Sequence, residues 1–188
     1  MQAALRRVRA AGGGSGGEAE GERSAARSGG ARYVVLGSSI GWLCFYGACV
    51  YGLEARGVEL LPLLADTARR VASEARVEGV TFECADMLRC DLRGAEILML
   101  ASQCWDAELY DALRAKLLAE LPDGALVLDY GAGLGEGEGG RKAGKAGRSF
   151  ALVERVTAPV SWDGAHEFCV FRLEGLPPVW SWKGQEKA

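Results

Sequence analysis

The chain has 188 residues, a formal charge of −3, 49% apolar residues and 27 glycines. Glycine at about 14% is twice the usual share of roughly 7%. No G-X-Y period runs through the chain, which excludes a collagen-like protein, and the apolar fraction excludes a wholly disordered one. The glycines are unevenly placed: residues 1–32 hold eight and 131–147 hold eight more. The first stretch also carries six Arg and three Glu, and reads as a low-complexity, disordered arm. What remains suits one domain, expected at 33–175, with 131–148 as a flexible loop inside it and 176–188 as a tail.

Charge and residue counts narrow the chemistry. There is no basic excess to signal nucleic acid as the partner. One histidine, His166, excludes any metal site built on two or more histidines, and the expected site holds no metal. The six cysteines form no CxxC pair, so zinc-knuckle spacing is absent. Cys44 and Cys49 are expected to line helix packing, and a reducing, cytoplasmic setting is the simplest reading. The basic, alanine-rich start MQAALRRVRAA has the look of an organelle transit peptide, against which Glu18, Glu20 and Glu22 count.

In chain order, Val34-Val35-Leu36 reads as a buried strand ending in glycine. Residues 33–53 carry no charge and are long enough to span a bilayer. The GSSIG turn at 37–41 interrupts them with two serines and two glycines, so strand plus buried helix is preferred to a membrane span. The helix is expected over Gly41–Leu53, apolar nearly all round and buried on most sides. Gly57–Leu60 ends a second strand, and Pro62 opens a helix with apolar residues at 64, 68, 71, 72 and 75.

Val80, Phe82 and Cys84 alternate with polar residues, giving a third strand closed by Asp86. Ala95–Ala101 is a fourth, apolar strand, reached without a full crossover helix. Leu109, Leu113, Leu117 and Leu121 mark a helix that Pro122 ends. A fifth strand covers Ala125–Tyr130. Phe150–Ala158 and Glu167–Leu173 are two further strands, with a turn expected at Asp163-Gly164 and His166 in the hairpin loop. With no helix between them they pair antiparallel. The fold class is therefore α/β: a Rossmann-like, doubly wound, mostly parallel sheet ending in an antiparallel hairpin.

Such sheets bind ligands beyond the carboxyl ends of their strands, near the switch in strand order. That gathers Gly37, Ser38, Ser39, Gly41, Glu59 with its neighbour Leu60, Asp86 with Met87, and Ser102–Asp106 around one crevice. A carboxylate ending strand two can accept two ribose hydroxyls. Asp86 serves equally as a turn cap or an adenine contact, and Asp106 reads first as the cap of the Leu109 helix. Trp105 reads first as a packed rim residue. GSSIG lacks the GxGxxG of dinucleotide enzymes, which argues against a nicotinamide cofactor.

Val35-Leu36-Gly37-Ser38-Ser39-Ile40-Gly41, Gly57-Val58-Glu59, Cys84-Ala85-Asp86, Ala101–Asp106 and the final hairpin together resemble the class I S-adenosylmethionine-dependent methyltransferases. GVELLPLLADTA is also similar to the ribose-binding stretch of the Dot1-like histone-lysine methyltransferases. The resemblance implies S-adenosyl-L-methionine as cofactor, held by Gly37, Ser38, Ser39, Gly41, Glu59, Leu60, Asp86 and Met87. It places Ser102, Gln103, Trp105 and Asp106 on the acceptor side, Trp105 offering its face to a cation or planar group. Two positions depart from the family pattern. Its usual first-motif acid is Val35 and its middle glycine is Ser39, which keeps open an inactive domain serving as a binding module. A small molecule, a protein lysine and RNA all fit the acceptor role, since function lives in the site and not the fold.

Overall fold

A computed structural model describes residues 30–135 and 147–175. Most of the arm and all of the tail, 1–29 and 176–188, lie outside these, as do residues 136–146 of the glycine-rich loop. Strand β1 (Arg32–Leu36) starts one residue inside the expected arm and leads to helix α1 (Trp42–Tyr51). Then come β2 (Glu54–Glu59), α2 (Pro62–Glu74), β3 (Val80–Cys84), β4 (Ile97–Leu100) and α3 (Ala107–Glu120). The chain ends in β5 (Leu126–Asp129), β6 (Ser149–Val160) and β7 (Asp163–Glu174).

The strands form one sheet in the order β3-β2-β1-β4-β5-β7-β6. The first five run parallel; β7 pairs antiparallel with β5, and β6 with β7. The order reverses between β1 and β4, where Leu36 lies level with Val58 on one side and Leu100 on the other. Leu100 is in turn level with Asp129. The carboxyl ends of β2, β1, β4 and β5 thus form one even edge. As expected, the crossover from β3 to β4 contains no helix, only turns.

Period-two alternation sorts the apolar residues onto two faces. Val34, Leu36, Leu98, Leu100 and Val127 pack toward α3, whose Leu113 and Leu117 are fully buried. Val35, Met99, Leu128 and Val170 line the opposite face, where Cys44 of α1 meets them. Burial pushes the Cys44 thiol up to about 12, which marks it as a core residue rather than a nucleophile.

As preferred from the sequence, the uncharged run 33–53 is strand, turn and a ten-residue helix, and no helix among the described residues is long and apolar enough to cross a membrane. Two other expectations need correction. Helix α1 is buried along one stripe only, at Cys44 and Gly47; Trp42 is 73% exposed, and Cys49 is exposed too. Its uniform apolarity misled because only its sheet-facing side has a neighbour. The hairpin turns at Ser161-Trp162, two residues before Asp163-Gly164, and His166 lies within β7. The pairing of Val160 with Asp163 leaves only those two residues for the turn.

The glycine-rich loop is anchored at both described ends. Leu134 is fully buried in the α3-side core. Arg148 is 1% exposed, and its guanidinium donates to the carbonyls of Leu118, Leu121 (2.7 Å) and Gly175 (3.1 Å). Two of those carbonyls end α3, so a buried cation satisfies the acceptors that a helix C-terminus leaves open. Glycine content alone had placed both residues in a flexible segment.

Candidate functional site

The turn after β1 is held down by β2. The amides of Gly37 and Ser38 both donate to the Val58 carbonyl, at 2.9 and 3.1 Å, and the Gly41 amide closes onto Ser38 O at 2.9 Å. Three residues have left-handed backbone: Gly37 (φ 75°), Ser39 (φ 51°) and Gly41 (φ 92°). Ser39 therefore adopts the conformation that a glycine would take without a Cβ penalty, at a cost of about 1–2 kcal/mol. The compensation is visible: the Ser39 amide donates to Glu59 Oε2 at 2.8 Å.

Gly41 is required for a reason different from ligand access. A Cβ there would stand 2.5 Å from Phe82 Cζ and 2.9 Å from Phe45 Cε2. Phe82 of β3 also presses on Gly57, so its ring forms the floor of the turn. At Gly37 a Cβ meets nothing closer than 3.5 Å, and only φ excludes a side chain.

Glu59 ends β2 with 8% of its surface exposed. Oε1 accepts from the Leu61 amide at 2.9 Å and Oε2 from Ser39. An ionised carboxylate has about four acceptor positions, so two remain for hydroxyl donors. Leu60 beside it is 63% exposed and forms an apolar lip with Leu61 and Leu63. Ser38 Oγ is buried and finds no hydrogen-bond partner among the described residues, an orphaned donor inside the turn. Asp86 caps its own turn: Oδ1 accepts from the Leu88 amide at 2.9 Å, and Oδ2 lies 3.7 Å from Arg89 Nε. Its side chain stays 42% exposed, so the cap leaves it able to meet a ligand. Met87 packs partly buried on the core.

At the other half of the edge, the candidates after β4 separate. Asp106 is the N-cap of α3, accepting from the Leu109 amide at 2.8 Å. Trp105 packs on the core and edge-on to Tyr110, with its indole 3.9 Å from a Cβ placed on Gly37. Gln103 makes a side-chain hydrogen bond to the Tyr130 phenol, which partly offsets the upward push of burial on that group. Ser102 points inward and donates to Asp129 Oδ1 at 2.6 Å.

Asp129 is a site residue that the sequence reading passed over. It falls inside the expected strand Ala125–Tyr130 with no role of its own; the strand in fact ends at Asp129. It is fully buried at the carboxyl end of β5. Oδ1 accepts from both Ser102 and Tyr110 OH (2.7 Å), while Oδ2 has no partner. Burial raises its pKa above the ordinary carboxylate value; the two hydroxyls and the nearby Tyr130 and Gly131 amides act in the opposite direction. A signal was available: an acid at the end of the strand next to the switch point. His166 is engaged on both nitrogens: Nε2 donates to Tyr130 O at 2.9 Å, and Nδ1 lies 3.4 Å from Asp163 Oδ2.

No protein-family model and no curated protein matches the sequence. Solved structures do match the fold. An RNA methyltransferase from Salinibacter ruber, in complex with S-adenosyl-L-homocysteine, superposes with a TM-score of 0.58 at 21% identity, covering 79% of this chain and 84% of that one. The magnesium protoporphyrin IX methyltransferase from Synechocystis PCC 6803, with S-adenosylmethionine bound, gives 0.60 at 11% identity over 93% and 77%. MtNAS, in complex with MTA and tNA, gives 0.57 at 18% identity over 90% and 59%. The chain thus spans less than two thirds of the length of MtNAS. At these identities the likeness establishes the architecture: the chain has the class I methyltransferase fold.

Proposed function

We propose that the chain binds S-adenosylmethionine at the carboxyl edge of β2, β1 and β4 and passes its methyl group to an acceptor beside β4 and β5. The observation that carries this is Glu59: a nearly buried carboxylate, tied to the turn through Ser39 and retaining acceptor capacity for two ribose hydroxyls. The orphaned Ser38 hydroxyl is a second fit, since a buried donor without a partner suits a site that a polar ligand completes. S-adenosylmethionine supplies an electrophilic methyl on a sulfonium. As the acceptor lone pair forms the new bond, the carbon–sulfur bond breaks, its electrons stay on a neutral thioether, and the acceptor proton passes to solvent.

The chain's own residues have positioning work to do. Glu59 holds the ribose, Asp86 borders the adenine end, and Leu60 and Met87 flank it with apolar surface. Gln103 and Trp105 face the acceptor side. Asp129 is a positioning residue, fixing Ser102 after β4 and Tyr110 on α3 to one oxygen. Titration calorimetry with S-adenosylmethionine and S-adenosylhomocysteine tests the reading; absence of heat with both overturns it.

Val35 favours a second reading. It is fully buried in the sheet, at the position where the family resemblance calls for an acid. A domain that keeps the fold for binding a partner explains that substitution. Robust methyl transfer to any cell-extract fraction excludes it.

A further inference from the structure

Beside the crevice lies a second cavity of about 210 Å³, between α1 and the β6–β7 hairpin. Its walls include Leu43, Met99, Leu128, Tyr130, Val156 and Phe168, and among the described residues none that lines it carries an ionised side chain. Its place in the fold ties it to the site. Leu43 is two residues beyond Gly41, and Tyr130 directly follows Asp129. Gln103, on the acceptor side of the crevice, bonds the Tyr130 phenol. Rings crowd its outer rim: the Tyr130 centroid lies 4.8 Å from Phe168 and 6.0 Å from Trp162, which is 57% exposed.

We infer that this cavity is the acceptor pocket and that it takes an uncharged, ring-sized small molecule of the phenol class; this rests on the methyl-transfer reading. The size decides against larger acceptors, because pockets for drug-sized ligands run from about 300 to 1,000 Å³. The lining decides against charged ones. A lysine ammonium or a phosphate entering these walls would lose its hydration with no opposite charge to meet it. A neutral aromatic ring gains edge and face contacts with Tyr130 and Phe168. Its single hydroxyl finds a neutral partner in the wall, the Tyr130 phenol, which Gln103 ties to the acceptor side of the crevice.

The test uses the full chain, fluorine NMR and three probes of equal ring size: 4-fluorophenol, 4-fluorobenzoate and 4-fluorobenzylamine. 4-Fluorophenol is expected to bind at least about tenfold more tightly than either charged probe. Its bound resonance is expected to shift when S-adenosylhomocysteine is added. Ala158→Phe, which fills the cavity from strand β6, is expected to abolish phenol binding while leaving calorimetric heat with S-adenosylhomocysteine in place. Should that variant unfold, Val156→Asn gives the same readout through polarity alone. Equal or tighter binding of a charged probe overturns the inference, as does phenol binding that either variant leaves unchanged. So does a bound resonance indifferent to S-adenosylhomocysteine, or a dimer in light scattering that Ala158→Phe dissociates. Heat with S-adenosylhomocysteine but no phenol binding sinks only the pocket assignment; phenol binding without that heat sinks the cofactor reading.

Discussion

Two carboxylates stand at the carboxyl edge of the same sheet, on β2 and β5 with β1 and β4 between them, and they are built differently. Glu59 is held by two backbone amides, spread over both oxygens, and keeps a window to solvent. Asp129 is held by two hydroxyls on a single oxygen, with the Tyr130 and Gly131 amides beside it, and has no window; among the described residues its other oxygen finds no close hydrogen-bond partner. Amides cannot rotate away, so the Glu59 carboxylate is held in one orientation with acceptor capacity left over. Hydroxyls can turn, and here they spend their protons on Asp129, which makes it an internal tether between the β4 exit and α3. One edge thus carries the acid proposed to bind and an acid that tethers, distinguished by exposure and by the hydroxyls that, of the two, only Asp129 engages.

Breaking the binding acid should have the largest effect. Glu59→Ala is expected to lower S-adenosylhomocysteine affinity by about 100-fold, from the loss of hydrogen bonds to a charged acceptor at roughly 1.5–3 kcal/mol; calorimetry reads it. Glu59→Gln keeps the shape and should lose less. Asp129→Ala removes the acceptor that the Ser102 and Tyr110 hydroxyls share and leaves a cavity, and should cost about 2 kcal/mol of stability in urea unfolding.

Asp129→Asn sharpens the contrast through pH. Burial raises the folded-state pKa of Asp129, so the folded chain keeps its proton where the unfolded chain releases it. Its relative stability is full below the ordinary carboxylate value and falls as pH rises through the raised one. The uncharged Asn variant lacks this loss. Measured from pH 4 to 8, the stability difference should therefore move in favour of Asp129→Asn as pH increases. The smallest effect is expected at Ser39→Gly, which relieves a left-handed serine and keeps the amide bond to Glu59. Allowing for the extra entropy of glycine in the unfolded chain, it should stabilise by about 0.5 kcal/mol in thermal melts.

The elements themselves were legible because each carries a local rule. Pro62 at a first turn, leucines at 109, 113, 117 and 121, and alternation at 80–84 all act over a few residues. The antiparallel hairpin was legible from the lack of any crossover helix. What escaped depended on neighbours far along the chain. The burial of α1 depends on what stands beside it, so Trp42 and Cys49 were misplaced. Arg148 looked like loop because its partners, Leu118 and Leu121, lie about 30 residues earlier. Within the site, Glu59 and the turn were legible from strand-end position, and Asp106 from its capping pattern. Asp129 was not, because its role is defined by Ser102 and Tyr110, each brought to it by a different element.

The buried guanidinium of Arg148 has one more consequence. The β6–β7 hairpin joins the rest of the fold through the β5–β7 ladder, through core side chains such as Phe171 and Leu173, and through Arg148, which grips the end of α3 and, at Gly175, the exit of β7. Each of these contacts is made by residues before 136 or after 146, so the hairpin is latched into the sheet like a cartridge, by its own strand pairing and side chains.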